Sequence, residues 1–302
     1  MAASCCGPSG GTTAAPLAAQ PAGPACPQPG GSGIGDTAHA WCLVPAGSFM
    51  MGNEGPDAMP GDGEGPVRAV ALDAFRIGAT TVTNAAFAAF VRATHYVTDA
   101  ERAGNSFVFY LQLPETTRRQ MRHAVSGLPW WLPVPDASWQ RPEGPGSQVH
   151  ERSLHPVVHV SWNDAVAYCR WAGTRLPSEA QWERAARGGL AGCRFPWGDD
   201  LFDARGLPRC NVFRGQFPNR PVPGWQPAPI AAGAGEPNGF GLINACGNVW
   251  EWCADELASG VRALRGGSFL CHDSYCNRYR VAARSSNTTT TSASNIGFRV
   301  AA

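Results

Sequence analysis

The sequence contains no lysine, so its 24 basic side chains are all arginines, set against 23 aspartates and glutamates. The formal net charge at pH 7 is therefore only +1. The chain also lacks any apolar run approaching the ~18–20 residues that a membrane-spanning helix needs. A nearly neutral chain without a basic cluster or such a run predicts neither nucleic acid nor a membrane as its main partner. We expect it to be a monomer.

The first twenty residues do not predict a secretory signal, because they have neither a basic start nor a continuous apolar stretch. Without export, thiols stay mostly reduced, so we expect a cytoplasmic protein. The 11 cysteines are odd in number and irregularly spaced, and they fit no small disulfide framework. Cysteines that lie close together then become candidates for metal or redox chemistry.

Turn-forming residues and tryptophan are abundant, with 36 glycines, 26 prolines and 11 tryptophans. This composition predicts many loops packed on large aromatics, which need a core to bury them. Residues 1–40 are rich in Ala, Pro and Gly, and Asp36 is their only formally charged side chain. They predict a flexible tail. Residues 41–302 keep a globular composition without an internal repeat and predict a single domain.

Capping patterns predict three helices, because a Ser, Thr or Asn side chain can bind the free N–H groups of a first turn and a glycine can end the last. The helices begin at Thr83 or Asn84, at Ser161 and at Ser178, and the last two end at Gly173 and Gly188. Short apolar runs predict strands at Val67–Leu72, Val157–Val160 and Gly297–Val300.

The segment RGGSFLCHDSYCNRYRVAARSSN, residues 265–287, places Cys271 and Cys276 five positions apart, beside Ser268 and His272. Spacing alone leaves several interpretations open. A structural disulfide is common in exported proteins, and the expected compartment weakens it. Zinc or an iron–sulfur cluster would need a second pair of ligands. A two-thiolate Cu(I) site remains, since thiolates favour this soft ion, and so do two inert buried cysteines.

Two other polar groups are weaker candidates. His155 and His159 would share one face of a helix, but their segment resembles a strand, along which they would lie roughly 13 Å apart. Structural histidines are therefore favoured. Residues 244–255, NACGNVWEWCAD, offer Asn244 and Glu251 as the oxygen ligands that calcium prefers. The tryptophans that alternate around Glu251 favour an ordinary turn before a core strand.

Taken in order, the motifs resemble those of the formylglycine-generating enzymes, or sulfatase-modifying factors. Besides residues 265–287 and the SASNIGFR that follows, they include VPAGSFMMG, HPVVHVSWNDAVAYCRWAGTRLPSEAQWERAARGG, FPWGDD and PNGFGLINACGNVWEW. The resemblance runs from Trp41 to Arg299. It implies an α+β fold related to C-type lectins, loop-rich and low in regular secondary structure, with residues 41–302 as one catalytic domain.

The implied activity is a copper-dependent oxidation by O2. A cysteine in a Cys-x-Pro-x-Arg segment of an unfolded sulfatase polypeptide, or of a peptide, would become Cα-formylglycine. Cys271 and Cys276 match the pair that holds Cu(I) in this family. Ser268, His272 and Trp250 match other active-site residues, of which Trp250 lines the pocket for oxygen and copper. The alternative is a non-catalytic binding module on the same scaffold, with inert cysteines.

The family also carries structural calcium, which reverses the turn interpretation of residues 244–255. One site matches in full, at Asn244, Gly247, Val249 and Glu251. A second site matches only at Asn211 and Val212. The loop before Trp225 reads NRPVPGW and contains no carboxylate, and without that charge a calcium ion binds weakly or not at all.

Overall fold

Loops and turns hold most of the residues in the structure, a computed structural model that describes residue 8, residues 39–121 and residues 123–302. Nearly all of the predicted tail, residues 1–40, lies outside these ranges. In the described part, the helices are α1 (Asn84–Thr94), α2 (Asp99–Ala103), α3 (Glu115–Gln120), α4 (Trp162–Ala172) and α5 (Glu179–Arg187). None of these helices has the length and apolar character to span a bilayer.

The strands are short and mostly paired two by two. In the described ranges they are β1 (Trp41–Val44), β2 (Gly47–Met51), β3 (Arg68–Leu72), β4 (Phe75–Gly78), β5 (Asn105–Phe109), β6 (Trp131–Pro135), β7 (Gly215–Gln216), β8 (Arg220–Pro221), β9 (Trp250–Ala258), β10 (Val261–Arg265), β11 (Arg284–Thr288) and β12 (Ile296–Gly297). The predicted α+β, loop-rich class is confirmed.

The largest sheet has the strand order β11–β10–β9–β12. Strands β9, β10 and β11 are antiparallel neighbours, whereas β12 runs parallel to β9 with Ile296 opposite Trp250. The remaining strands form the two-stranded pairs β1–β4, β2–β3, β5–β6 and β7–β8. Because β10 and β11 are joined by residues 266–283, the sheet holds both ends of the segment that carries the two close cysteines.

The three predicted helices are present as α1, α4 and α5. The side chain of Thr83 caps α1, and Ser161 and Ser178 open α4 and α5 with complete capping boxes. Gly173 and Gly188 end these last two helices in the left-handed conformation that glycine adopts without strain. Local side chain–backbone hydrogen bonds therefore decide where these helices begin and end.

The strand predictions were less accurate. Strand β3 realises the first prediction and β12 only the start of the last, but the strand at Val157–Val160 was wrong. His159 has a φ of 59°, which breaks the extended conformation, and its N–H donates to the carbonyl of Ala293 rather than to a neighbouring strand. Val157 and Val160 are fully buried within a loop. A loop segment that is buried on all sides has the same apolar run in its sequence as a buried strand, so the two cannot be told apart from this pattern.

Asp164 is a buried carboxyl in the first turn of α4. It accepts hydrogen bonds from the N–H groups of Ser161 and Asp99 and from the hydroxyl of Tyr96. Burial raises the pKa of Asp164 to about 6; the hydrogen bond from Ser161 opposes this rise, and the charge of Asp99 adds to it. The folded protein therefore binds this proton more tightly than the unfolded chain, whose aspartate has a pKa near 3.8.

The substitution Asp164→Asn should remove a pH-dependent contribution to stability. The contribution of Asp164 is complete below pH 4 and is lost as the pH rises through 6, because only the folded state then still holds the proton. Relative to the wild type, the variant should gain about 3 kcal/mol of unfolding free energy between pH 4 and pH 7. Urea unfolding at pH 4, 5, 6 and 7 measures this difference. A difference between the two proteins that stays constant with pH would contradict the assignment.

Candidate active site

Cys271 and Cys276 lie in two successive turns between β10 and β11. The N–H of Cys271 donates to the carbonyl of Ser268 at 2.9 Å, and the N–H of Cys276 donates to the carbonyl of His272 at 2.9 Å. Both cysteine side chains are about 1% exposed. Two successive backbone turns thus bring two buried thiols into one short segment.

Ser268 contacts Cys271 and is itself held by a residue that the sequence did not single out. Its backbone N–H donates to the Cys271 sulfur at 3.4 Å, and its hydroxyl oxygen accepts from Asn295 Nδ2 at 3.0 Å. Asn295 is fully buried, and its Oδ1 has no hydrogen-bond partner among the described residues. The asparagine in the motif SASNIGFR was not a sufficient signal for this role, because its burial beside Ser268 arises only in the folded chain.

Trp250 approaches the same group of residues from strand β9. Its backbone N–H donates to the carbonyl of Asn295 at 2.8 Å. The indole ring is fully buried, and within the described ranges its Nε1–H finds no acceptor. A continuous path of contacts therefore runs from Trp250 through Asn295 and Ser268 to Cys271. The path carries one free donor and one free acceptor that a small molecule could use.

Tyr279 is a buried residue three positions after Cys276, and it borders the same cavity as Cys271. Burial raises the pKa of its phenol, and the charges of Asp273, Cys210, Cys271 and Cys276 raise this pKa further. Three sulfur atoms therefore lie within electrostatic reach of one phenol in a buried region.

A cleft of about 290 Å³ connects Cys271 with the surface. Its walls are largely apolar, and three of its large side chains, Phe202, Leu207 and Val222, are exposed to solvent. His272 and Asp273 also line it. The ring Nδ1 of His272 lies 2.7 Å from the Ser274 hydroxyl and 3.1 Å from Asp273, and the His272 ring meets the buried Phe213 edge to face.

Three half-exposed aromatic rings, Trp130, Phe217 and Tyr275, pack together beside the turn; we call them the aromatic cradle. The rings of Phe217 and Tyr275 are stacked with centroids 4.8 Å apart. Trp130 meets each of them edge to face, at 5.2 Å and 5.1 Å. Because Tyr275 precedes Cys276, the cradle lies next to the second thiol.

The two histidines considered as metal ligands have separate partners. His159 is fully buried, its Nδ1 lies 2.8 Å from the Ser106 hydroxyl, and burial lowers its pKa to about 4. His155 Nδ1 lies 3.1 Å from the carbonyl of Pro229. The described residues contain no group of three or more His, Cys, Asp or Glu side chains suited to a metal ion.

The residues matched to calcium are close together but already engaged. Glu251 accepts hydrogen bonds from Trp182 Nε1 at 2.6 Å and from Arg299 Nε and Nη2 at 2.6 and 2.7 Å. Asn244 donates its amide to the carbonyls of Ala232 and Ala234. A guanidinium thus already compensates the only carboxylate of the set, which does not fit a calcium ligand. The calcium sites remain a prediction.

The residues matched to the second calcium site, Asn211 and Val212, take part in backbone pairing and in the core. Asn211 forms an isolated parallel bridge with Gly247, and its amide donates to Asn248 Oδ1 at 3.1 Å. Val212 and Val249 are buried in the core. The residues matched to the two calcium sites therefore lie in or near two paired segments, 210–212 and 246–248.

The family model of the sulfatase-modifying factor enzyme 1-like domain matches residues 34–302. The chain belongs to this family. A protein of Thermomonospora curvata named formylglycine-generating enzyme is 52% identical to this family member over 290 residues, covering 88% of this chain and 94% of the relative. One of Streptomyces coelicolor with the same name is 50% identical over 303 residues, covering 94% and 95%.

At least one similar protein is named as inactive. A Bos taurus protein named inactive C-alpha-formylglycine-generating enzyme 2 is 42% identical over 265 residues, covering 85% of this chain and 86% of the relative. Membership of the sulfatase-modifying factor family therefore does not by itself decide activity. Among solved structures, PvdO from Pseudomonas aeruginosa has a TM-score of 0.59 at 24% identity and covers 86% of this chain and 93% of its own, which shows the shared fold.

Proposed function

We propose that this member of the sulfatase-modifying factor family oxidises a cysteine within a Cys-x-Pro-x-Arg segment of a client sulfatase to Cα-formylglycine, using copper and O2. The observation that carries the proposal is the pair of buried cysteines in one short segment, Cys271 and Cys276, of which an apolar cleft reaches Cys271 from the surface. The names of the two bacterial relatives at 52% and 50% identity support it.

The donor set fits Cu(I). Cys271 and Cys276 would hold the ion, because thiolate sulfur is the soft donor that Cu(I) prefers and both side chains are shielded from water. When bound, the ion supplies one-electron chemistry with O2 and an open position for a third sulfur.

The protein's own residues prepare this site. The N–H of Ser268 on the Cys271 sulfur stabilises the thiolate over the thiol. Asn295 fixes the Ser268 hydroxyl, so the serine cannot rotate away from the thiol turn. The free N–H of Trp250 can donate a hydrogen bond to a small oxygen-containing molecule in a site from which water is excluded.

Two surface features suit the client segment. The partly exposed aromatic cradle provides the kind of aromatic surface on which proline rings dock in peptide-binding grooves. Asp273 is well exposed at the cleft and can pair with the arginine of the segment. An extended client chain can use both features only where it is unfolded, since its own fold would otherwise bury these side chains.

The test is conversion of a Cys-x-Pro-x-Arg peptide. The purified protein loaded with Cu(I) should convert the peptide to an aldehyde that hydrazide labelling detects, in the presence of O2. The same peptide with serine in place of cysteine is the control and should give no label. Absence of aldehyde at full copper loading and saturating O2 would refute the proposal.

A non-catalytic binding module is the second candidate, favoured by the 42% identity to a relative named inactive. It predicts binding of the peptide through the aromatic cradle without conversion. Binding that persists while no aldehyde forms would establish this function instead.

A further inference from the structure

The proposed oxidation needs two electrons beyond those that the client supplies, and Cys271 and Cys276 cannot give them by forming a disulfide while they hold Cu(I) as thiolates. Conversion of a client cysteine side chain to an aldehyde, with water entering and hydrogen sulfide leaving, removes two electrons and two protons from the client. These reduce O2 only to hydrogen peroxide. Reduction to water requires two further electrons and two further protons. Two additional thiols would supply these electrons and protons by forming a disulfide.

The structure contains a second pair of thiols in register. Asn211 and Gly247 form a parallel bridge, and the N–H of Asn248 donates to the carbonyl of Asn211 at 2.8 Å. Cys210 and Cys246 each precede a bridged residue by one position, so the bridge brings the two cysteines close together. Paired segments are about 4.8 Å apart, which lies within the Cα separation of roughly 4.4–6.8 Å that a disulfide requires.

This second pair is buried and adjoins the catalytic turn. Cys210 and Cys246 are 7% and 1% exposed, and both carry free thiols. Three residues after Cys210, the N–H of Phe213 donates to the carbonyl of Cys271 at 3.0 Å. The phenol of Tyr279 lies within electrostatic reach of Cys210 and of both catalytic thiols. The segment that carries Cys210 therefore touches the segment that carries the proposed copper ligands.

We propose that Cys210 and Cys246 are an internal donor of the two further electrons. Their S–S bond forms as their two S–H bonds break, the sulfurs are oxidised, and oxygen is reduced to water. The client thiol, O2 and two protein thiols then give the client aldehyde, hydrogen sulfide, one water and one disulfide, which balances in atoms and electrons. This inference rests on the proposed function and adds a role for residues outside the catalytic turn.

A single turnover without external reductant tests the inference. The full chain, reduced, desalted and loaded with one Cu(I), is mixed with peptide in the absence of oxygen and then given O2. The wild type should form one aldehyde per chain, release less than about a tenth of an equivalent of hydrogen peroxide, and yield a cross-linked peptide joining residues 210 and 246 by mass spectrometry. The cross-link needs no variant and so does not depend on how a variant folds.

The variant Cys210→Ala/Cys246→Ala should release about one hydrogen peroxide per aldehyde and form no such cross-link. Cys253→Ala is the matched control, since it removes a fully buried thiol elsewhere in the core and should behave as the wild type. One peroxide per aldehyde from the wild type, or water formation without the cross-link, would overturn the inference alone. If no protein forms aldehyde even with excess external thiol, the proposed function fails and the inference falls with it.

Discussion

Replacing either Cys271 or Cys276 by serine should lower the rate of aldehyde formation by a factor on the order of 10³ or more. A neutral hydroxyl is a hard donor, and it does not replace a thiolate on Cu(I). The change is nearly isosteric, so the packing of the turn and the backbone bonds of Ser268 and His272 should survive. Initial rates of peptide conversion, together with the thiolate-to-metal absorption during a Cu(I) titration, measure the two losses.

The double variant Cys271→Ser/Cys276→Ser should be no less active than either single variant. Residues that act as a unit give strongly non-additive effects, because removing the first already abolishes the site. Cys253→Ser, in strand β9, is the control and should keep the rate within about twofold of the wild type. Near wild-type rates for both single variants would exclude a thiolate site and leave the aldehyde activity, if present, without its proposed centre.

The parts of the fold that sequence predicted are those set by local hydrogen bonds. Ser161 and Ser178 specify helix starts through backbone groups three residues away, so their effect is readable from neighbouring letters. The segment Val157–Val160 differs, because its backbone bonds go to Val82 and Ala293. Partners so distant in sequence leave no periodic pattern, and the run of valines was interpreted as a strand.

The candidate site divides in the same way. The pair Cys271 and Cys276 can be recognised from the sequence because both cysteines lie in one short segment. Their spacing alone did not decide which chemistry they carry. The contact of Asn295 with Ser268 and the register of Cys210 with Cys246 both depend on segments that meet only in the folded chain. Residue type alone predicted neither of these contacts, since an asparagine in a motif and two scattered cysteines have many ordinary explanations.

Among the predicted calcium ligands, Glu251 has the surroundings that differ most from those of a calcium site. Its replacement should have a large effect on the free energy of unfolding. Glu251→Gln should lower the free energy of unfolding by about 3–5 kcal/mol. Glu251 and Arg299 are both fully buried, and Arg299 also donates to the carbonyls of Gly78 and Ile243. The amide would leave this guanidinium without its counter-charge in the core. Urea unfolding at pH 7 measures the loss.

Two further variants separate a buried ion pair from a calcium site at Glu251. Replacing both partners, as Glu251→Gln/Arg299→Met, should recover part of the stability, because removing a whole buried pair costs far less than removing one charge. The exposed pair of Glu115 with Arg119 is the control, and Glu115→Gln should leave the unfolding curve nearly unchanged, since water screens this pair. If the carboxylate held calcium instead, chelation would destabilise the wild type and leave Glu251→Gln unchanged. We expect chelation to leave the difference in stability between wild type and variant unaltered, because the charge that Glu251 balances belongs to Arg299.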